Sequence, residues 1–333
     1  MDGAPRPTVR PGDLADLFAA ASGDTATILG GRPLLLVDAT VGTAAPGFSP
    51  GSVPVVIVGI VDGDDVDVAG IDPSPYDVLL SAGDPMLAAL VAQVGRCPVA
   101  AAALAVLLRA SEQRSVEDGL ANESAVYSTL QAGPEFDAWR RARGAGGLPP
   151  DLEPPVLVER VGDELHVTLN RPRRHNAVTA ALRDGLAEAL TLAAADDTIG
   201  AVHLSGNGPS FCSGGDLAEF GSFPDPATAH VTRLTRSPAR LAHQIADRLH
   251  VHLHGACMGA GIEVPALAGH VVAAPDTAIA LPELALGLVP GAGGTASIPK
   301  RIGRHRTAAL ALSGSRIDAA TALAWGLVDE IAG

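Results

Sequence analysis

His254-Gly-Ala-Cys-Met-Gly-Ala-Gly-Ile-Glu263 ends on a glutamate, and a second glutamate follows twenty residues later in Ile279-Ala-Leu-Pro-Glu283. The chain continues through Gly287-Leu-Val-Pro-Gly-Ala-Gly-Gly-Thr295. Two carboxyl groups held on glycine-rich backbone can divide acid and base work between them. Glycines beside them let N–H groups come close to a reacting oxygen. Upstream lies Phe211-Cys-Ser-Gly-Gly-Asp216, shortly after an apolar run at 201–204. A strand that enters a glycine turn and then a helix presents N–H groups where the helix macrodipole favours negative charge. The stretch 255–261, after a second apolar run at 250–253, reads the same way. Either turn alone is an ordinary tight turn. Brought together beside two glutamates, they would aim two donors at one oxygen, which is an oxyanion hole.

The surrounding pattern sets the class. Residues 156–159 and 165–169 read as a hairpin turning at Gly162-Asp163. Val178, Leu182, Leu186 and Leu190 recur every four residues, which predicts a helix with one buried stripe. Strands at 201–204 and 250–253 then alternate with helical segments, an α/β layer pattern with crossover connections. Before this part, 34–37 and 53–58 read as buried strands, and a short helical pattern covers 14–20. From Pro85 the texture is helical: Leu87, Leu90, Val91 and Val94 share a face, 99–108 is Ala/Leu-rich, and 115–129 continues the pattern. The stretch 131–143 turns and becomes a short basic helix, and Gly144-Ala-Gly-Gly-Leu-Pro-Pro150 reads as a linker. The expected division is a degenerate α/β region over 1–84, a helical segment and linker over 85–149, and a catalytic core over 150–333.

Composition narrows the function. Apolar residues make up 47% of the 333, charged residues 18% and aromatics 3%, so a large aliphatic core is available. A formal charge of −14 argues against a nucleic-acid partner, which needs a basic face. No apolar stretch is long enough to span a bilayer, and Met1-Asp-Gly-Ala-Pro-Arg-Pro7 lacks a signal-peptide pattern, so a cytoplasmic protein without a membrane partner is expected. Cys97, Cys212 and Cys257 form neither a disulfide framework nor a zinc motif. The acidic run 62–67 fails as a calcium loop because Val66 takes a ligand position and no glutamate closes it. His250, His252 and His254 alternate and would share a face, a pattern read as packing or pocket lining rather than a metal site. No metal and no cofactor are expected.

Residues 154–333 resemble the crotonase, or enoyl-CoA hydratase/isomerase, superfamily. The resemblance rests on Leu169-Asn-Arg-Pro-Arg-Arg-His-Asn-Ala177, Phe211-Cys-Ser-Gly-Gly-Asp-Leu217, the two glutamate segments, Pro290-Gly-Ala-Gly-Gly-Thr295 and Gly326-Leu-Val-Asp329, in the family's order. It implies a crotonase-like spiral of ββα units with a helical lid subdomain, an acyl-CoA substrate whose coenzyme A is no separate cofactor, and a homotrimer or dimer of trimers. It implies that Glu263 activates water for attack at C3 and Glu283 exchanges the proton at C2. The implied oxyanion donors are the N–H groups of Ser213 and Ala260. The coenzyme A arm would lie along His175, Asn176, Ala177, Gly214, Gly215 and Asp216, with Arg173 or Arg174 near its phosphates.

The chain departs from the family pattern at its end. The family continues past Gly-Leu-Val into a helical subdomain, whereas this chain stops at Gly333. Residues 85–143 resemble that missing piece, so the preceding half reads either as a degenerate crotonase-like unit lending its helices as a lid or as a plain helical extension. The leading activity is hydration of a 2-enoyl-CoA or dehydration of a 3-hydroxyacyl-CoA. The alternatives are an isomerase, a C–C bond enzyme, a cofactor-free acyl-CoA dioxygenase, and a non-catalytic acyl-thioester-binding partner subunit.

Overall fold

The computed structural model describes residues 7–20, 32–44, 48–62, 71–143, 153–222 and 225–333. The stretch read as a linker, 144–150, and most of the acidic run 62–67 lie outside these described residues.

Apolar, β-branched runs build the first sheet. β1 (Leu34–Asp38), β2 (Val56–Val61) and β3 (Val78–Ser81) pair in that order, all parallel. The second strand starts three residues later than its apolar run because Pro54 has no N–H to give a ladder. β3, four residues long, was not expected from the sequence. Alternate residues divide the sheet between two faces. Val56, Val58, Ile60, Val78 and Leu80 join the main core, while Leu35, Val37, Ile57, Val61 and Leu79 pack around Leu14 of α1 (Leu14–Ala20).

Four helices follow: α2 (Pro85–Arg96), α3 (Pro98–Arg109), α4 (Val116–Gln131) and α5 (Pro134–Arg143). Asp84 caps the first by accepting from the Met86 N–H at 2.8 Å, with Pro85 at the first helical position. Pro98 breaks the apolar run between α2 and α3, and the chain bends there by 115°. No single helix among the described residues is long and apolar enough to cross a membrane. The Glu135 carboxylate of α5 accepts the Val99 and Ala100 N–H groups at 2.8 and 3.0 Å, capping α3 from another helix.

The remaining chain forms two further sheets. β4 (Val156–Val161) and β5 (Glu164–Leu169) are the antiparallel hairpin, with Gly162 at φ +66° in its turn. After α6 (Ala180–Ala195) come β6 (Ala201–Gly206), α7 (Pro226–Thr235), α8 (Pro238–Gln244), β7 (Leu249–Leu253), β8 (Ala256–Met258) and α9 (Ala260–Glu263). Then follow β9 (His270–Ala273), β10 (Ala278–Ala280), α10 (Gly294–Ser313), β11 (Ile317–Asp318), α11 (Ala319–Trp325) and β12 (Glu330–Ile331). The large sheet has the order β12-β9-β7-β6-β5-β4 and the small one β11-β10-β8. β7 to β8 and β9 to β10 each step from the large sheet to the small one before helical turns, which is the α/β spiral of ββα units.

The two halves share one core. The main hydrophobic cluster runs from Val56 and Leu90 without a break to Leu165, Val251 and Leu310. α2, α3 and α4 pack along α10, and α4 also lies against α7 and α8. Polar contacts fix the same arrangement. Arg304, just past the Gly303 kink of α10, donates to the carbonyls of Tyr76 and Ser74 at 2.8 and 3.0 Å. Lys300 donates to the carbonyls of Glu112 and Arg114, both at 3.0 Å.

Candidate active site

The strand β8 ends at Met258, and Gly259 turns the chain at φ +50° so that Ala260 can begin α9. Only glycine fits there. A Cβ would stand 2.2 Å from Glu283 Oε1 and 3.6 Å from Glu263 Oε1, so both carboxyl groups converge on this one Cα. Glu263 is the last residue of α9, and Glu283 opens the 3₁₀ turn Glu283–Leu286 just after β10. Adjacent strands of the small sheet therefore deliver the two glutamates to one place.

Their surroundings differ. Glu263 Oε2 accepts the N–H groups of Ala292 and Gly294 at 2.7 and 2.9 Å. Glu283 Oε2 is buried and has no hydrogen-bond partner among the described residues. A third carboxyl joins them from the other half of the chain. Glu123 of α4, 2% exposed, accepts the Gly293 N–H on one oxygen and both the N–H and hydroxyl of Thr295 on the other, all at 2.7 Å. Four successive amides thus donate alternately: Ala292 and Gly294 to Glu263, Gly293 and Thr295 to Glu123.

Burial raises the pKa of all three groups. Glu263 is pushed up to about 7, and the amides of Ala292, Gly294 and Gly291 oppose that rise. Glu123 is pushed up to about 8 by burial and then by the Glu263 charge, against the Thr295 and Gly293 donors. Glu283 stands well above the ordinary carboxylate value through burial, then repulsion from Glu263. Glu263, held by two amides, is the group that ionises first. Its charge then keeps the proton on Glu283, where only that residue's own backbone N–H opposes the rise. A base and an acid at one point are the result.

The oxyanion donors need one correction. The Ser213 N–H is already used: it donates to the His175 carbonyl at 2.9 Å, and Ser213 does not line the cavity. Val178 bridges this segment by giving its N–H to Gly214 O and accepting that of Asp216, each within 3 Å. The amide between them, Gly215, points the other way and has no acceptor among the described residues. Ala260 N–H, at the first position of α9, is likewise unclaimed. Gly215 and Ala260 both line the cavity with Glu263 and Glu283, so two unclaimed amides are available there to one oxygen. Spacing alone does not say which amides a bridge consumes, and the free one lies two residues beyond Ser213.

The cavity has a volume of about 300 Å³. One wall comes from the core (Leu182, Leu186, Phe211, Val264) and the facing wall from α4 (Leu120, Ser124, Tyr127). The approach of α4 is close enough that a Cβ at Gly291 would meet the Tyr127 ring at 2.4 Å. Trp139 of α5 stands edge-on to Phe220 at 6.1 Å, and Phe220 in turn packs against Gly215.

The residues expected along the coenzyme A arm separate into groups. Gly215 and Asp216 line the cavity, whereas Arg173, Arg174, His175, Asn176, Ala177 and Gly214 do not. Arg173, Arg174 and His175 are exposed on and just after the 3₁₀ turn Pro172–Arg174. The Asn176 side chain is not available to a ligand. It is fully buried, accepts the Arg171 N–H at 2.7 Å and donates to the carbonyls of Asn207 and Ser210 at 2.9 Å, holding the loop in shape. The Asp216 carboxylate is likewise engaged by Arg171, at 3.1 Å.

The histidines do not line the cavity. His250 and His252 lie on the outer face of the large sheet, stacked with His203, which also stacks on His166, and His254 contacts the Gly208 carbonyl at 3.0 Å. No group of three or more metal-ligating side chains occurs among the described residues. Cys212 is buried with its thiol pushed up to about 12, so it is a packing residue rather than a nucleophile. Glu123 was missed as a site residue. Its signal was a carboxylate four residues from Gly119 and from Tyr127, on the buried face of α4.

Comparison with known proteins matches the second half of the chain. The enoyl-CoA hydratase/isomerase family model matches residues 164–333. A 2,3-dehydroadipyl-CoA hydratase of Escherichia coli is 36% identical over 176 residues, covering 53% of this chain and 68% of that protein. A 1,2-epoxyphenylacetyl-CoA isomerase of the same organism is 32% identical over 170 residues, covering 50% and 64%. Among solved structures, an enoyl-CoA hydratase from Bacillus anthracis, 29% identical, superposes with a TM-score of 0.50 over 54% of this chain and 70% of that one. The family match begins at β5, so α2–α5 and the Glu123 they carry fall outside it.

Proposed function

The chain belongs to the enoyl-CoA hydratase/isomerase family, and from that premise we propose that it adds water across the double bond of a 2-enoyl-CoA, or runs the reverse dehydration. The observation that carries this reading is the convergence of Glu263 and Glu283 on Gly259, beside the unclaimed N–H groups of Gly215 and Ala260. The thioester oxygen accepts from those two amides. Glu263, as carboxylate, takes a proton from water while its oxygen attacks C3. The electron pair of the double bond moves onto C2 and the carbonyl oxygen, giving an enolate that the two amides stabilise. Glu283, as carboxylic acid, then delivers its proton to C2. Both glutamates return to their starting states through one net proton passing between them and water.

Retention of two opposed carboxyls favours hydration over reactions that need one base alone. Arg173 and Arg174, exposed beside the Ser213–Asp216 loop, are the proposed contacts for coenzyme A phosphates. The test is loss of the conjugated enoyl thioester in wild type, Glu263→Gln and Glu283→Gln. Each substitution is expected to lower kcat by roughly 10²- to 10⁴-fold while thioester binding persists. Turnover surviving in both variants would overturn the assignment.

A further inference from the structure

Four arginines line the cavity on the side of α6, α7 and α8: Arg183, Arg233, Arg236 and Arg240. Three are already occupied. Arg183 and Arg236 both pair with Asp184, at 2.8 and 2.6 Å. Arg233 donates to Ser124 at 3.0 Å and lies 4.8 Å from the centre of the Tyr127 ring. The Arg240 side chain has no hydrogen bond or ion pair among the described residues, and its Nε is buried without an acceptor.

A guanidinium is always charged, and a buried N–H without an acceptor is unfavourable unless something arrives to accept from it. The charge balance makes the vacancy more telling. With a formal charge of −14 the chain has carboxylates in excess, yet none is placed on this arginine. Glu117, on the facing helix α4, turns to His243 at 3.7 Å instead.

Position indicates which part of a substrate Arg240 meets. Its neighbour Ala239 packs against Gly293, where a Cβ would lie 2.9 Å from the Ala239 methyl. Gly293 sits between the two amides that hold Glu263. Arg240 is therefore on the Glu263 side of the cavity, the side reached by C3 and the chain beyond it. Arg173 and Arg174, exposed and outside the cavity lining, are the contacts proposed above for the carrier, which leaves Arg240 to the acyl chain.

We infer that Arg240 seats an anionic group at the far end of the acyl chain, so that the substrates this site takes best are 2-enoyl thioesters bearing a second carboxylate. This rests on the enoyl-thioester reading above and deepens it. A carboxylate accepting from a guanidinium makes a charge-assisted, bidentate contact, which fixes the chain end as well as attracting it.

The test compares two 2-enoyl-CoA substrates of equal chain length, one ending in a carboxylate and one in a methyl group, on wild type, Arg240→Met and Arg240→Lys. Wild type is expected to favour the carboxylated substrate by roughly 10- to 100-fold in kcat/KM. Arg240→Met should remove that preference while leaving the methyl-ended substrate within a few-fold, and Arg240→Lys should restore part of it. Equal losses on both substrates would place a coenzyme A phosphate on Arg240, and that result, or no preference in wild type, overturns the inference. Calorimetric Kd values for the two saturated acyl-CoA analogues give a second readout. If neither enoyl substrate turns over, hydration fails as the reaction, but a carboxylate preference in binding that Arg240→Met abolishes still upholds the anion seat.

Discussion

The two halves of the chain contribute unlike things to one cavity. Residues 153–333 supply the groups of the proposed chemistry: Glu263, Glu283 and the amides of Gly215 and Ala260. The helices of residues 85–143 supply the facing wall and a carboxyl, Glu123, that holds the same turn as Glu263. The first half acts through backbone geometry; the second holds the groups proposed to touch the reacting atoms. Placement of a catalytic group thus depends on a segment that precedes it by more than a hundred residues.

Separating the halves should have the largest effect. α10 buries its surface against α2, α3 and α4, and the cavity loses a wall without α4. Residues 153–333 expressed alone are expected to show no hydration and no cooperative thermal unfolding, and residues 1–143 supplied as a second chain should restore both. A lone C-terminal half with full activity and the Tm of the whole chain would break the comparison.

Next in size is the loss of one donor. Ala260 occupies the first position of α9, where proline is tolerated because the N–H has no helical acceptor. Ala260→Pro should therefore lower kcat by roughly 10²- to 10³-fold with little change in Tm, while Ala260→Ser, which keeps the N–H, stays near wild type. Equal activity in both variants would remove Ala260 from the oxyanion hole.

A smaller effect reads the coupling between halves directly. Glu123→Gln keeps the shape and removes the carboxyl whose ionisation the Glu263 charge opposes. The acid limb of the kcat/KM profile, which reports the free enzyme and belongs to the coupled carboxyls rather than to one of them, should keep its midpoint but lose the further step near 8 that Glu123 contributes in wild type. Its midpoint in wild type is expected near the value of about 7 given by Glu263. A midpoint displaced to lower pH would mean that Glu123 carries its charge before Glu263 does.

How much of this was legible beforehand follows from the range of the interactions. The glutamate pair, Ala260 and the strand–turn–helix units are local patterns, and the structure places them where their spacing suggests. Ser213 is the donor the family resemblance implies, whereas the bridge from Val178, more than thirty residues away, decides that the free amide is Gly215. β8, β10 and β11 are two or three residues long, too short for any periodicity to announce them. Glu123 was visible only as a charged residue on a buried helical stripe. Its partners, Gly293 and Thr295, lie 170 residues away or more. Contacts of that separation leave no mark on local sequence.

The smallest predicted effect is on stability, and its sign is decided by where the protons are. Glu123 and Glu263 have ordinary values of 4.5 and stand near 8 and 7 in the folded protein. Between those limits the native state holds more protons than the unfolded chain, so the contribution of these groups to stability falls as pH rises. His203, His252 and His305 are lowered from 6.5 by burial and act oppositely, but only up to about that pH, where the unfolded chain sheds its protons. Asp72, Asp196, Asp225 and Asp318, lowered from 3.8, are ionised in both states throughout this range. The window from pH 6.5 to 8 therefore isolates the buried carboxyls. The Tm of wild type minus that of Glu123→Gln should shrink across it, because only wild type must ionise Glu123. Each kcal/mol of difference moves Tm by about 2 °C in a chain of this size, so the change is a few degrees. A constant difference would mean that Glu123 is already ionised at pH 6.5, its three donors outweighing both its burial and its neighbour.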